Sequence, residues 1–158
     1  MSRHTPKVAL VPSAFFDAAS AREILSRTVL LEEDDKVEYI SLPEYSAELV
    51  YSLSTLPEPA EEPELYNVIK ALSGVKEHNR IVASYGDGVL SLAVAQGEKL
   101  LLANVFTAAD FTTAEYFLFL AIRKLQLNPE VSTVHFLTPL SGEEEMSLYR
   151  YFKSVEQI

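Results

Sequence analysis

The sequence predicts an α/β domain with a mixed sheet, its second half running β-β-β-α-β-α. Three observations carry this. Short apolar runs of strand length alternate with stretches of helical periodicity along the 158 residues. Hydrophobic residues make up 48% of the chain, enough to bury a full-sized core. Three of the five glycines fall in "VASYGDGVLSLAVAQGEKLLLANVF", residues 82–106, where they punctuate apolar strands.

Each element follows from its own residues. "KVALVP" (7–12) is a short strand stopped by Pro12, and "FDAASAREILSR" (16–27) a helix that Asp17 can cap. The acidic turn "EEDD" (32–35) leads to the strand "KVEYISL" (36–42), and "AELVYSLS" (47–54) is the next strand. "TLPEPAEEPE" (55–64) combines three prolines with four glutamates and reads as a solvated linker. The helix "LYNVIKALSG" (65–74) ends with Gly74 where a C-cap glycine belongs.

"RIVASY" (80–85), "VLSLAVA" (89–95) and "KLLLANVF" (99–106) are joined by "GDG" and "QGE". Both joints place Gly beside a polar residue, as tight hairpins require for positive φ. The three form an antiparallel meander, with the middle strand half-buried. "TTAEYFLFLAIRKLQL" (112–127) is a helix with a Thr112–Glu115 capping box, apolar nearly all round and so expected to be covered on most sides. "STVHFLTP" (132–139) is a strand, and "SGEEEMSLYRYFKS" (141–154) a last helix with a Ser141–Glu144 box. Residues 1–75 thus read as a partial first lobe, β-α-β-β-α, and 76–158 as a second lobe, the two packing as one compact unit.

The formal net charge of -10 repels phosphate backbones, which disfavours nucleic acid. With no cysteine, disulfides, thiolate metal sites and a cysteine nucleophile are excluded together. The longest apolar run, "YFLFLAI", is far short of the roughly 18 residues that span a bilayer. The expected compartment is the cytoplasm.

A meander, a crossing helix and a parallel strand begin a ribonuclease-H-like or actin-like domain. An actin-like ATPase places Asp, one residue, then Gly at the first hairpin, the Asp to order magnesium-bound water and the Gly to admit phosphate. Here the triplet is "SYG": Ser84 replaces the acid, Gly86 is retained, and Asp87 and Gly88 lie on the turn itself. Ser84 brings no charge to a magnesium shell, so the turn reads as hairpin chemistry. Should ATP with magnesium bind, Ser84, Gly86, Asp87 and Gly88 are the residues to contact it. A nuclease needs carboxylates converging from the first strand, the helix and the fourth strand. Only Glu115 qualifies, and the capping box explains it. His4, His78 and His135 lack the spacing of metal ligands, and no nucleophile elbow or Walker motif is present.

"VALVPSAFFDAASAREIL" (8–25) and "GEKLLLANVFTAADFTTAEYFLFLAIRKLQLNPEVSTVHFLT" (97–138) resemble an uncharacterised family of bacteroidete proteins with an actin-like ATPase fold. Members of that family are longer at both ends, so the chain is similar to the middle of such a protein, or to a shortened member. The resemblance implies a sheet without its first meander, and hence an exposed edge open to another chain. The expected function is a non-catalytic actin-like domain serving as an interaction or assembly module, needing no cofactor. Its partner is another protein or a second copy met through that edge. The alternative is a diverged ATP binder using residues 84–88.

Overall fold

The computed structural model describes residues 2–53 and 61–158. Most of the linker expected at 55–64 lies outside the described residues.

Strands β1 (Ser2–Arg3), β2 (Val8–Pro12), β3 (Glu38–Leu42), β4 (Ala47–Tyr51) and β5 (Glu62–Pro63) belong to the first half, with helices α1 (Ala21–Ser26) and α2 (Glu64–Ala71). The second half carries β6 (Asn79–Gly86), β7 (Val89–Gln96), β8 (Lys99–Thr107), α3 (Phe111–Lys124), β9 (Thr133–Phe136), α4 (Gly142–Tyr149) and β10 (Ser154–Gln157). A five-stranded sheet runs β10-β9-β6-β7-β8, a three-stranded sheet β2-β4-β3, and β1 pairs with β5. The meander β6-β7-β8 is antiparallel, whereas β9 runs parallel to β6 and β10 parallel to β9. This is the mixed α/β arrangement expected.

The core has two faces because the central strand presents apolar side chains to both. Leu90, Leu92 and Val94 of β7 pack under Leu118 and Ile122 of α3 and Leu148 of α4. Ala93 and Ala95 meet Val68, Ile69 and Leu72 beneath α2, together with Leu49 and Tyr51 of β4. Every residue from Val89 to Ala95 is therefore buried, not half-buried as the alternation suggested. Strands covered on both faces read as continuous apolar runs.

Several elements depart from expectation for local reasons. The 16–27 helix is shorter. Asp17 accepts the Ala19 N–H and caps a single 3-10 turn, Ala18–Ser20, before α1 begins. Gly74 closes a second 3-10 turn, Leu72–Gly74, without positive φ, so it is no left-handed cap. The Ser141–Glu144 capping box is present, but α4 stops at Tyr149 and the chain turns back into β10. That strand was hidden because "SVEQ" carries one apolar residue, which is all an edge position needs.

At the start of α3 the cap is Asp110, whose carboxylate accepts the Thr113 N–H at 2.8 Å. This bond holds the Asp110 carboxyl below its usual range. The Thr112–Glu115 box does not form, because the helix begins one residue before Thr112. The apolar residues of α3 other than Tyr116, which is 60% exposed, are buried or partly buried. Among the described residues no helix is long and apolar enough to cross a membrane.

The far end of α3 is a Schellman turn. Leu127 N–H bonds Ile122 C=O and Gln126 N–H bonds Arg123 C=O. Gln126 takes the left-handed position, φ 62°, that glycine usually fills. Left-handed backbone costs a side-chain-bearing residue about 1–2 kcal/mol, and glycine's extra freedom when unfolded returns roughly 0.4–1. Gln126→Gly is therefore expected to stabilise by about 0.5–1 kcal/mol, seen as a higher urea midpoint. A lower midpoint would mean that the glutamine side chain offsets its own strain.

Candidate functional site

The hairpin between β6 and β7 closes through Asp87 and Gly88, since Gly86 pairs with Val89. Both central residues have positive φ, 52° and 72°, the signature of a type I′ turn. The turn is anchored from outside. The Tyr85 hydroxyl donates to Ala108 C=O at 2.7 Å, the Ala108 N–H donates to Gly88 C=O at 2.8 Å, and the Tyr85 N–H donates to Thr138 Oγ1 at 3.1 Å. Burial raises the Tyr85 phenol above its ordinary pKa.

The four residues of the expected phosphate turn share one hairpin, but their polar side chains part. Ser84 is fully buried, whereas Asp87 is exposed. The Ser84 hydroxyl donates to Glu64 Oε2 at 2.6 Å. Glu64, the first residue of α2, is itself buried and accepts from Ser2 Oγ at 2.8 Å and Asn67 Nδ2 at 3.2 Å through Oε1. Its charge sits at the positive end of the α2 dipole. Beside it, His4 Nε2 lies 3.9 Å from Glu64 Oε2, and the ring packs on the bare Cα of Gly86. A Cβ at Gly86 would stand 2.5 Å from that Nε2, so glycine is required for this approach.

The order Ser84–Glu64–His4 is wrong for a nucleophile. In a catalytic triad the imidazole takes the serine proton and the acid orients the imidazole. Here the carboxylate takes the hydroxyl. The arrangement locks strand, helix and β1 together, and it sets a negative charge directly behind the turn. Two buried polar atoms close by, His4 Nδ1 and Ser91 Oγ, have no hydrogen-bond partner among the described residues. Ser91 lies opposite Ser84 in the register.

Sequence reasoning missed Glu64 and His4. By composition Glu64 belongs with the glutamates of the linker, although a Pro-Glu pair opening an apolar helix is a helix-start signal. Glu115, the one acid placed as a nuclease ligand would be, instead faces α4, where the Ser147 hydroxyl lies 2.9 and 2.8 Å from its two oxygens. Burial raises the Glu115 pKa, opposed by the Ser147 bond and the Arg150 charge. With the native pKa above the unfolded one, its stabilising contribution is complete at acidic pH. It is lost as pH rises through the native value. Glu115→Gln is expected to match the parent's melting temperature near pH 4 and to exceed it at pH 7. A variant less stable at pH 7 would contradict this. His135 is buried, with Glu77 at 3.6 Å and Glu156 at 3.3 Å from Nε2. Among the described residues no group of three or more His, Asp or Glu side chains could hold a metal ion.

A family model described as "Protein of unknown function (DUF3822)" matches residues 63–155. No curated protein sequence matches the chain. Among solved structures, the chain is similar to a protein from Bacteroides thetaiotaomicron with an actin-like ATPase fold and unknown function. The TM-score is 0.81 at 17% identity, over 99% of this chain and 66% of that one. It is also similar to a chain of the PilM–PilN type IV pilus biogenesis complex, with a TM-score of 0.50 at 14% identity, over 96% and 65%. The chain thus spans just under two thirds of either structure's length, and the fold is actin-like.

Proposed function

The chain belongs to the DUF3822 family of unknown function, and we propose that it is a non-catalytic actin-like domain serving as a protein-interaction or assembly module. The observation that carries this reading is the outer edge of β3, which no strand among the described residues covers. Ser52 N–H bonds Lys7 C=O, which turns the main chain of Ser52, Val50 and Glu48 towards β2. Tyr51 and Leu49 therefore face β3, and Tyr39 and Ser41 turn their amides away from the sheet. Beside this row Tyr39 is 45% exposed, its ring 4.8 Å from that of Phe16. An extended segment of another chain can add there as a further strand.

The 84–88 turn supports the non-catalytic half of the reading. Ser84 has its hydroxyl committed to Glu64, and the carboxylate of Glu64 opposes a phosphate approaching the hairpin. Likeness to a chain found in a pilus assembly complex supports a partnering role at the level of the fold.

Two measurements test the proposal together. Magnesium-ATP at 100 times a real dissociation constant would stabilise by about 2.7 kcal/mol and raise the melting temperature by roughly 5–10 °C. No shift is expected with ATP, ADP or GTP. A shift of that size, abolished by Ser84→Trp, would install the ATP-binding alternative at Ser84, Gly86, Asp87 and Gly88. Sedimentation at rising concentration is expected to show species heavier than the 17.6 kDa monomer, reverting to monomer in Ser41→Pro. A monomer at every concentration would remove self-pairing through β3.

A further inference from the structure

A groove of about 440 Å³ lies where the C-terminal ends of α3 and α4 meet, remote in sequence from both the 84–88 turn and the β3 edge. We propose that it is a binding site for an acidic peptide segment of a partner protein, recognised through carboxylates by Arg123 and Arg150.

The cations come first. Arg3, Arg22, Arg27 and Arg80 each bond a backbone carbonyl or a carboxylate. The guanidinium groups of Arg123 and Arg150 make no hydrogen bond or ion pair among the described residues, in a chain of net charge -10. The Arg150 charge is felt at Glu115, but Ser147 is the group that bonds that carboxylate. Two free guanidinium forks at one groove match carboxylate geometry, each able to give paired N–H bonds.

The walls have an apolar character suited to a peptide. Arg123 sits 5.7 Å over the Phe119 ring, and that ring lies 4.8 Å from Tyr151. A peptide can lay an apolar side chain on these rings while its acids meet the arginines.

The backbone of the groove is strained as well. Gln126 lines it from a left-handed position that glycine would occupy more cheaply. A side chain kept there at a cost points to use. Beside it, Asn128 spends its carbonyl oxygen on the Glu130 N–H, which leaves its amide nitrogen as a donor.

Neither dipole pairing nor phosphate binding fits the groove as well. Cations near helix C-termini complement the dipole, but that needs neither rings nor a strained glutamine. A doubly charged phosphate would concentrate its charge at one point beside Glu130, whereas carboxylates spaced along a peptide can each meet one arginine.

The test uses the full chain and three labelled pentapeptides followed by fluorescence anisotropy. One alternates glutamates with phenylalanine, one replaces every glutamate by glutamine, and one carries a single phosphotyrosine. The glutamate peptide is expected to bind at least 10-fold more tightly than its glutamine counterpart. Arg123→Ala and Arg150→Ala, both at exposed positions, are expected to weaken it by at least 10-fold together, and Gln126→Gly by a few-fold. Equal binding of the glutamate and glutamine peptides, or an unchanged affinity in the double arginine variant, overturns the proposal. A 10-fold preference for the phosphotyrosine peptide overturns it in favour of phosphate. Ser41→Pro leaves peptide binding intact and the arginine variants leave sedimentation intact, so failure here is separable from failure of the β3 reading.

Discussion

Glu64→Ala is expected to destabilise the protein by about 2–4 kcal/mol, measured as the loss in free energy of urea unfolding. The carboxylate gathers donors from three elements: Ser84 on β6, Ser2 on β1 and Asn67 one turn along α2. Ser84 has no exposure, so without Glu64 its hydroxyl is buried without a partner. A stranded buried polar group costs about 1–3 kcal/mol, and the helix start loses its favourable charge as well, worth about 0.3–1. Glu64→Gln separates shape from charge. Its amide keeps an oxygen for two of the donors and offers an N–H that the Ser84 hydroxyl can accept. It should lose no more than about 1 kcal/mol, a typical net value for one hydrogen bond. An alanine variant as stable as the parent would show that water replaces the carboxylate, and the view of this cluster as a structural lock would fall.

Leu118→Ala is expected to cost about 2–5 kcal/mol. Leu118 is fully buried at the centre of α3, above Leu90, Leu92 and Val94. No polar partner competes for the site. Deleting the side chain therefore leaves a cavity between helix and sheet that rigid neighbours fill only in part. Tyr116→Ala, two residues away and exposed, should fall within about 0.5 kcal/mol, the usual range for surface positions. Equal effects at the two positions, in denaturant melts, would mean that α3 does not sit on the sheet as described.

Much of the fold was legible because local signals and tertiary demands agree. The meander showed itself through two Gly-bearing hairpins, and both glycines with positive φ, Gly88 and Gly97, lie in those turns. Where a residue had two possible employments, the sequence could not choose. Glu115 sits three residues after Thr112, which satisfies the capping pattern, yet the helix begins at Phe111 and the acid turns to Ser147. Glu64 looked solvated among the linker glutamates, and only β6 folding against α2 gives it Ser84. The groove with Arg123 and Arg150 joins segments that no short-range pattern links. Strand β10 carries too few apolar residues to announce itself and is defined by its parallel pairing with β9.

The pairing of β1 with β5 has a consequence for the order in which the molecule opens. With Lys7 bonded to Ser52, docking Ser2 against Glu64 closes a remaining loop of roughly 17 residues, which costs about 2.5 kcal/mol on logarithmic scaling. Among the described residues only two pairs, Ser2 with Glu62 and Arg3 with Pro63, reward that closure through main-chain pairing. The meander, by contrast, closes through two-residue turns and is favoured early. Amide hydrogens at β1 should accordingly exchange through a sub-global opening well below the free energy of complete unfolding, while those of Ile81–Ala83 wait for the whole sheet. In that partly open form His4 leaves the Cα of Gly86. The Gly86 side of the turn, covered by His4 in the native molecule, then becomes a transiently accessible surface.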